Sequence, residues 1–230
     1  MFGKPKPIIL DCYTALSAAG NLFPVSHSRD HSLQWMPKSD VNTASIRGCP
    51  GIRDYANRGF VLPIWTDVRL TAGANPLDCK LEVADGDVNR FRFVMGGSAG
   101  KLFADTPLAH LKIVPPWFFR CSEEIQFHFS GAFYHLNNPN LVVCPGLVDY
   151  VHQLTPTIQT FIHVGTGPTT VEIKAGTPLA HLIPLTERPV QLRVHHVTAA
   201  EFAQLGEEEK QLNAFFSFGY YKRKALKKDK

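Results

Sequence analysis

Residues 144–185, CPGLVDYVHQLTPTIQTFIHVGTGPTTVEIKAGTPLAHLIPL, form a run of short segments separated by Gly and Pro turns. Thr170-Val-Glu-Ile-Lys174 alternates apolar and polar residues. Only an extended strand puts every second side chain on one face, so this segment must be a half-buried strand. Apolar residues at Ile158, Phe161, Ile162 and Val164 mark a strand before it, and residues 179–185 mark one after it. The turns between them, Gly165-Thr-Gly-Pro168 and Ala175-Gly-Thr-Pro178, are too tight for helical connections.

Parts of this unit occur earlier in the chain. Cys49-Pro-Gly-Ile-Arg-Asp-Tyr55 matches Cys144-Pro-Gly-Leu-Val-Asp-Tyr150, and Thr106-Pro-Leu-Ala-His-Leu111 is identical to Thr177-Pro-Leu-Ala-His-Leu182. The order is kept, but the spacing is longer in the first copy. Two readings stay open: an internal duplication giving two pseudo-equivalent β halves, or two unrelated turn-then-strand solutions with similar chemistry.

The rest of the chain extends the β pattern. Strands are expected at 8–16, 59–65, 67–70, 79–83, 91–94, 125–129 and 190–194, with a hairpin-type turn at 84–87. Pro63 cannot donate to a ladder, which places 59–65 at an edge or a bulge. Residues 24–40 are polar and loop-like, with Trp35 as the anchor of a binding arm. Only 199–216 is predicted to be helical, with Thr198 and Glu201 forming a capping box. The expected fold is all-β and mainly antiparallel, a β-sandwich or jelly-roll or a β-clip-like barrel, with one C-terminal helix. The expected layout is an N-terminal arm (1–43), a β body (44–197) with halves near 44–114 and 115–197, the helix (198–221) and a basic tail (222–230).

Composition bounds the function. The chain has 230 residues, 44% of them hydrophobic and 11% aromatic, so its core needs no disulfide or metal staple. The five cysteines are odd in number and form no C-x-x-C pair, which implies reduced thiols. The N-terminus has no signal-peptide pattern, and no apolar run approaches the length of a membrane span. A virion or host-cytoplasmic location is therefore expected, without membrane contact or signal-directed secretion. Net charge is +4, yet residues 222–230 alone carry six cations and one anion, so the body is near neutral. Lys222, Arg223, Lys224, Lys227 and Lys228 are candidate contacts to nucleic acid or an acidic partner. The alternative is a solvated end.

Catalytic signatures are sparse. The ten histidines include no H-x-H or H-E-x-x-H pattern, so no metal site is assigned. A cupin-like ligand site would have to use His128 and His135. No G-x-S-x-G elbow occurs, and Gly96-Gly-Ser-Ala-Gly100 lacks the Lys-Ser/Thr of a phosphate loop.

Gly146-Leu-Val-Asp149-Tyr150 and Ile173-Lys-Ala-Gly176-Thr-Pro-Leu-Ala180-His-Leu-Ile183 resemble the third and fourth motifs of dUTPase-like proteins. That resemblance implies a β-clip or jelly-roll-like barrel, usually trimeric. In it Asp149 activates a water with Mg2+, while Tyr150 packs beneath a sugar and Gly146 lies beside the nucleotide. The family's Pro-Arg-Ser phosphate motif has only Pro115-Pro-Trp-Phe-Phe119 in its place, so phosphate charge would fall to Arg53, Arg58 or the tail. A wider pattern resembles a family of uncharacterised phage proteins. It comprises Cys49–Tyr55, Gly59-Phe-Val-Leu-Pro-Ile-Trp-Thr-Asp67, Gly146–Asp149, Gly176-Thr-Pro178 and Gly219-Tyr-Tyr-Lys222. The leading expectation is a non-enzymatic phage structural protein that assembles with itself and other virion proteins, without a cofactor. The alternative is a divergent dUTPase or dCTP-deaminase-like nucleotide hydrolase.

Overall fold

A computed structural model describes residues 5–16, 18, 21–31, 49–73, 78–93, 108–135, 140–163 and 168–216. Trp35 and the basic tail, including Lys222, Arg223, Lys224, Lys227 and Lys228, lie outside the described residues.

Among the described residues the chain is all-β with two α-helices. Its strands are β1 (Ile8–Ala15), β2 (Ser26–His27), β3 (Phe60–Pro63), β4 (Val68–Ala72), β5 (Cys79–Val83), β6 (Phe91–Phe93), β7 (Leu108–Ile113) and β8 (Phe118–Cys121). They continue as β9 (Phe127–Gly131), β10 (Leu141–Val143), β11 (Gly146–Val148), β12 (Ile158–His163), β13 (Thr169–Ile173), β14 (Pro178–Pro184) and β15 (Val190–Val197). The helices are α1 (Pro50–Asn57) and α2 (Ala199–Phe216). The strands form four sheets, ordered β15-β1-β8, β10-β12-β7-β6, β11-β9-β14-β3-β2 and β13-β4-β5. All pairings are antiparallel except β1 with β15. Among the described residues no sheet closes on itself, so the barrel form of the expected fold is replaced by open sheets.

Alternation in the sequence becomes burial in the fold. In β1, Ile8, Leu10 and Cys12 point inward and are at most 1% exposed, while Ile9, Asp11 and Tyr13 lie on the other face. One apolar cluster joins side chains from all four sheets, with Trp65, Trp117, Tyr150, Phe119 and Phe127 among its largest members. Burial of an aromatic side chain of this size contributes roughly 1.5–3 kcal/mol.

The two sequence-similar stretches adopt different structures. Cys49-Pro-Gly-Ile-Arg-Asp-Tyr55 opens α1, which corrects the expectation of a single helix. Pro50 stands at the first helical position, where its missing N–H leaves no partner unsatisfied. Cys144-Pro-Gly-Leu-Val-Asp-Tyr150 instead pairs Gly146, Leu147 and Val148 with Phe129, His128 and Phe127 of β9. The identical stretches ending at Leu111 and Leu182 both enter central strands, β7 and β14.

The hairpin-type turn expected at 84–87 is instead part of a 3-10 helix, Ala84–Arg90, because β5 and β6 on either side of it belong to different sheets. Two other local expectations hold. Pro63 aligns with Pro178 beside a register shift between Pro178 and Ala180, a bulge of the kind a strand proline demands. At the start of α2 the Thr198 N–H and Oγ1–H both donate to Glu201 Oε2 at 2.8 Å, and the Glu201 N–H donates back to Thr198 Oγ1 at 3.3 Å. The helix lies on the β1-β8 sheet through Phe202 against Phe118, Leu205, and an Arg120–Glu208 ion pair.

Candidate functional site

The dUTPase-like turn and the sheet β15-β1-β8 belong to one piece of structure. Asp149 comes directly after β11. Its Oδ1 accepts from the Val151 N–H at 2.9 Å, the bond of an Asx turn. Its Oδ2 accepts from His152 Nδ1–H at 3.1 Å, and its side chain is 11% exposed. The backbone of this turn then serves β8. Tyr150 O accepts from the Cys121 N–H at 3.2 Å, and Leu154 O accepts from the Phe119 N–H at 2.8 Å. The turn that carries Asp149 is therefore the cover of one edge of this sheet.

Tyr150 is fully buried, its ring 4.8 Å from that of Phe119 and 5.3 Å from that of Phe127. Burial holds its phenol well above the usual range. Its hydroxyl has no hydrogen-bond partner among the described residues. Gly146 is exposed and has open space where a Cβ would sit. Mg2+ requires an octahedral set dominated by oxygen. The groups around Asp149 include a backbone N–H and an imidazole, with the Cys121 thiol close enough to feel its charge. None of these three groups is an oxygen donor. Arg53 lies on α1 with its Nε buried and unpartnered among the described residues. Arg58 donates to Thr186 O at 3.1 Å and pairs with Glu187 at 3.6 Å.

The cupin-like pair is resolved into a different cluster. His128 sits on β9 opposite Leu147 and Ile183. His135 lies just beyond that strand and packs edge-on to His31, with ring centroids 5.9 Å apart. His31 Nε2 is 2.7 Å from Ser26 Oγ, and His181 Nε2–H donates to Arg58 O at 2.6 Å. Tyr55 of α1 stands edge-on over His181 at 4.9 Å, and its hydroxyl is 3.0 Å from Ser130 Oγ. Burial drives the His135 imidazole down to about 4, with the nearby His31 and His181 adding to the shift. Burial also lowers His31 and His181. Among the described residues no group of three or more His, Cys, Asp or Glu is arranged to hold a metal ion. The cluster is a packed, neutral joint between α1 and the β9-β14 face. Sequence reasoning missed it because His31, Tyr55, His135 and His181 are far apart in the chain. The one local signal was His181 itself, a titratable residue inside the apolar strand Pro178–Pro184.

The opposite edge of the β15-β1-β8 sheet is bare among the described residues. Ile8 N–H donates to Pro189 O and Leu16 N–H donates to Val197 O, both at 2.9 Å, which fixes the parity of the parallel ladder. Odd-numbered residues of β15 bond to β1. The N–H and C=O groups of Val190, Leu192, Val194 and His196 therefore point away from the sheet, and β15 is its end strand. Val190 and Leu192 pack only partly against the core, and Val194 is 36% exposed. At one end of the strand stand Leu16 and Leu22, 64% and 75% exposed. The intervening Asn21 bonds Leu16 O and the ring of His196.

Comparison of the chain with protein-family models, with curated proteins and with solved structures finds no match. Among the described residues no helix is long and apolar enough to cross a membrane.

Proposed function

We propose that this chain is a non-enzymatic assembly protein of a phage particle, working through protein–protein pairing of its β surface. The observation that supports this most is the open edge of β15. An eight-residue edge strand with outward N–H and C=O groups is a template for another strand. Proteins that stay monomeric blunt such edges with lysine, proline or bulges. β15 has no lysine, proline or bulge and a single such charge, Arg193, while its outward row is Val190, Leu192, Val194 and His196. The phage setting rests on the resemblance of the wider sequence pattern. The tail at 222–230 suits contact with nucleic acid or an acidic neighbour in the particle.

The hydrolase alternative would have Asp149 orient a water while it holds the Val151 N–H and His152. Light scattering on the purified chain tests the assembly reading, with a pyrophosphate assay on nucleoside triphosphates run on the same samples. A defined oligomer without turnover is expected, together with the chain's presence in purified particles. A monodisperse monomer at high concentration, absent from particles, overturns the reading. Release of pyrophosphate from one nucleotide replaces it with the hydrolase.

A further inference from the structure

The edge of β15 carries more information than its openness, because the apolar part of the row it presents reads the same in both directions. The residues whose backbone groups point outward include Val190, Leu192 and Val194, in the order Val-x-Leu-x-Val. In the parallel ladder Ile8, Leu10 and Cys12 align with Val190, Leu192 and Val194. Aligned neighbours in a sheet share a face, so this row lies on the same side as the buried residues of β1. It continues the core face one strand beyond β1 and stops half covered.

We infer that β15 pairs antiparallel with β15 of a second copy of this chain, about a two-fold axis through Leu192. The inference rests on the assembly reading and names its contact. In an antiparallel ladder, residues with outward groups on both strands face each other and exchange two hydrogen bonds. Centring on Leu192 sets Leu192 against itself and Val190 against Val194, so the apolar row meets its own copy without a mismatch. On the other face Gln191 then lies opposite Arg193. Centring one residue further on sets Arg193 directly against Arg193, and like charges in directly opposed positions repel. Centring on Val194 sets Leu192 against His196. Centring on Gln191 sets Val190 against Leu192 but carries Val194 past the start of the partner strand, so the Leu192 register is the one that pairs all three apolar residues without opposing like charges.

The product is a six-stranded sheet, β8-β1-β15 continued by β15-β1-β8 of the second copy. Each outer end is already covered by the turn after Asp149. A two-fold contact of this kind is self-complementary and closes on itself. The open β15 edge of the sheet is thereby removed, while its covered edge is left alone. The occupant is a second copy, rather than an unrelated peptide, because the apolar part of the row, Val190, Leu192 and Val194, reads the same in both directions.

Two variants test the pairing, each compared with wild type by light scattering and by circular dichroism. Val194→Pro removes an outward N–H and inserts a ring into the contact. It leaves the β1 ladder intact, since the Val194 N–H does not face β1, and Arg193 before it is already extended. Self-association is expected to weaken by about tenfold to a hundredfold, the loss of one hydrogen bond from each copy with added steric conflict. Leu192→Cys places two sulfurs across the axis. Opposed Cα atoms there lie about 5.5 Å apart, within disulfide reach. Mild oxidation is expected to trap a covalent dimer beyond the level seen in wild type, while Arg193→Cys run alongside gives none. An oligomer that is indifferent to Val194→Pro and is not trapped by Leu192→Cys overturns this pairing and leaves the assembly reading in place. Trapping through Arg193→Cys alone overturns the register. A wild-type chain that stays monomeric overturns both the pairing and the assembly reading.

Discussion

The Asp149 carboxylate holds His152 Nδ1 at 3.1 Å while its other oxygen accepts from the Val151 N–H at 2.9 Å. Those two bonds set the path of residues 149–154, and that path covers β8 through Tyr150 O and Leu154 O. Asp149→Ala should therefore act on stability. It removes an Asx turn and a largely buried hydrogen bond to His152, for an expected loss of about 1–3 kcal/mol. Asp149→Asn keeps an acceptor for Val151 and should lose less. Urea denaturation of the two variants checks the order. Equal losses would mean that the turn bond is not what the carboxylate supplies.

Tyr150 gives the complementary test. Its hydroxyl is buried without a partner among the described residues, so it carries a desolvation penalty that no bond offsets. Tyr150→Phe keeps the ring against Phe119 and Phe127 and removes that penalty. The variant should be as stable as wild type or more stable, by up to about 1 kcal/mol. A clear drop in the midpoint of thermal unfolding would show that the hydroxyl has a partner and would reopen a polar role for the site.

The β class was legible because alternation is a local property. Thr170-Val-Glu-Ile-Lys174 shows its period within five residues, and it forms part of β13. The capping box at Thr198 and Glu201 was legible for the same reason. The fate of Cys49–Tyr55 was not. Its likeness to Cys144–Tyr150 suggested a shared turn, but the contacts available to each stretch decide its structure. Residues 147–148 find β9 to pair with, while residues 50–57 close a helix whose Tyr55 seats on His181. Pairing partners lie far away in the chain, so no local pattern announces them. The bare edge of β15 is illegible for a related reason. The strand itself was expected, but its place at the end of a sheet comes from the parallel pairing with residues 8–15, almost the whole chain away.

Gly59 stands where the chain leaves α1 for β3, with φ at 79°. A Cβ placed there would lie 2.2 Å from Leu182 O, in the backbone of β14. Backbone cannot yield as a flexible side chain can. Gly59→Ala adds a left-handed strain to that clash, and a loss above about 2 kcal/mol is expected. Thermal unfolding measures it. A near-neutral result would mean that the α1–β3 junction relaxes freely and does not anchor Tyr55 over His181.

The histidine joint makes stability depend on pH, and the sign comes from burial. Unfolded, His135 takes up a proton near its ordinary 6.5; folded, it resists until about 4. Burial lowers His31 and His181 of the same cluster too, with nearby His128 adding to the shift of His181, against an opposing pull from Asp30 on His31 and from the Arg58 carbonyl on His181. Above 6.5 both states are neutral and nothing is lost. As pH falls from 6.5 towards 4, the unfolded chain binds protons that the folded chain refuses, so stability declines across that window. Tyr134 faces the same joint, and burial raises its phenol above the ordinary value. Denaturation midpoints at about pH 7.5, 6 and 5 should fall in that order, and His135→Gln should flatten the slope by removing one of the three rings. A wild-type midpoint that holds constant across those conditions would mean that the rings are solvated in the folded state, and that α1 does not close over them.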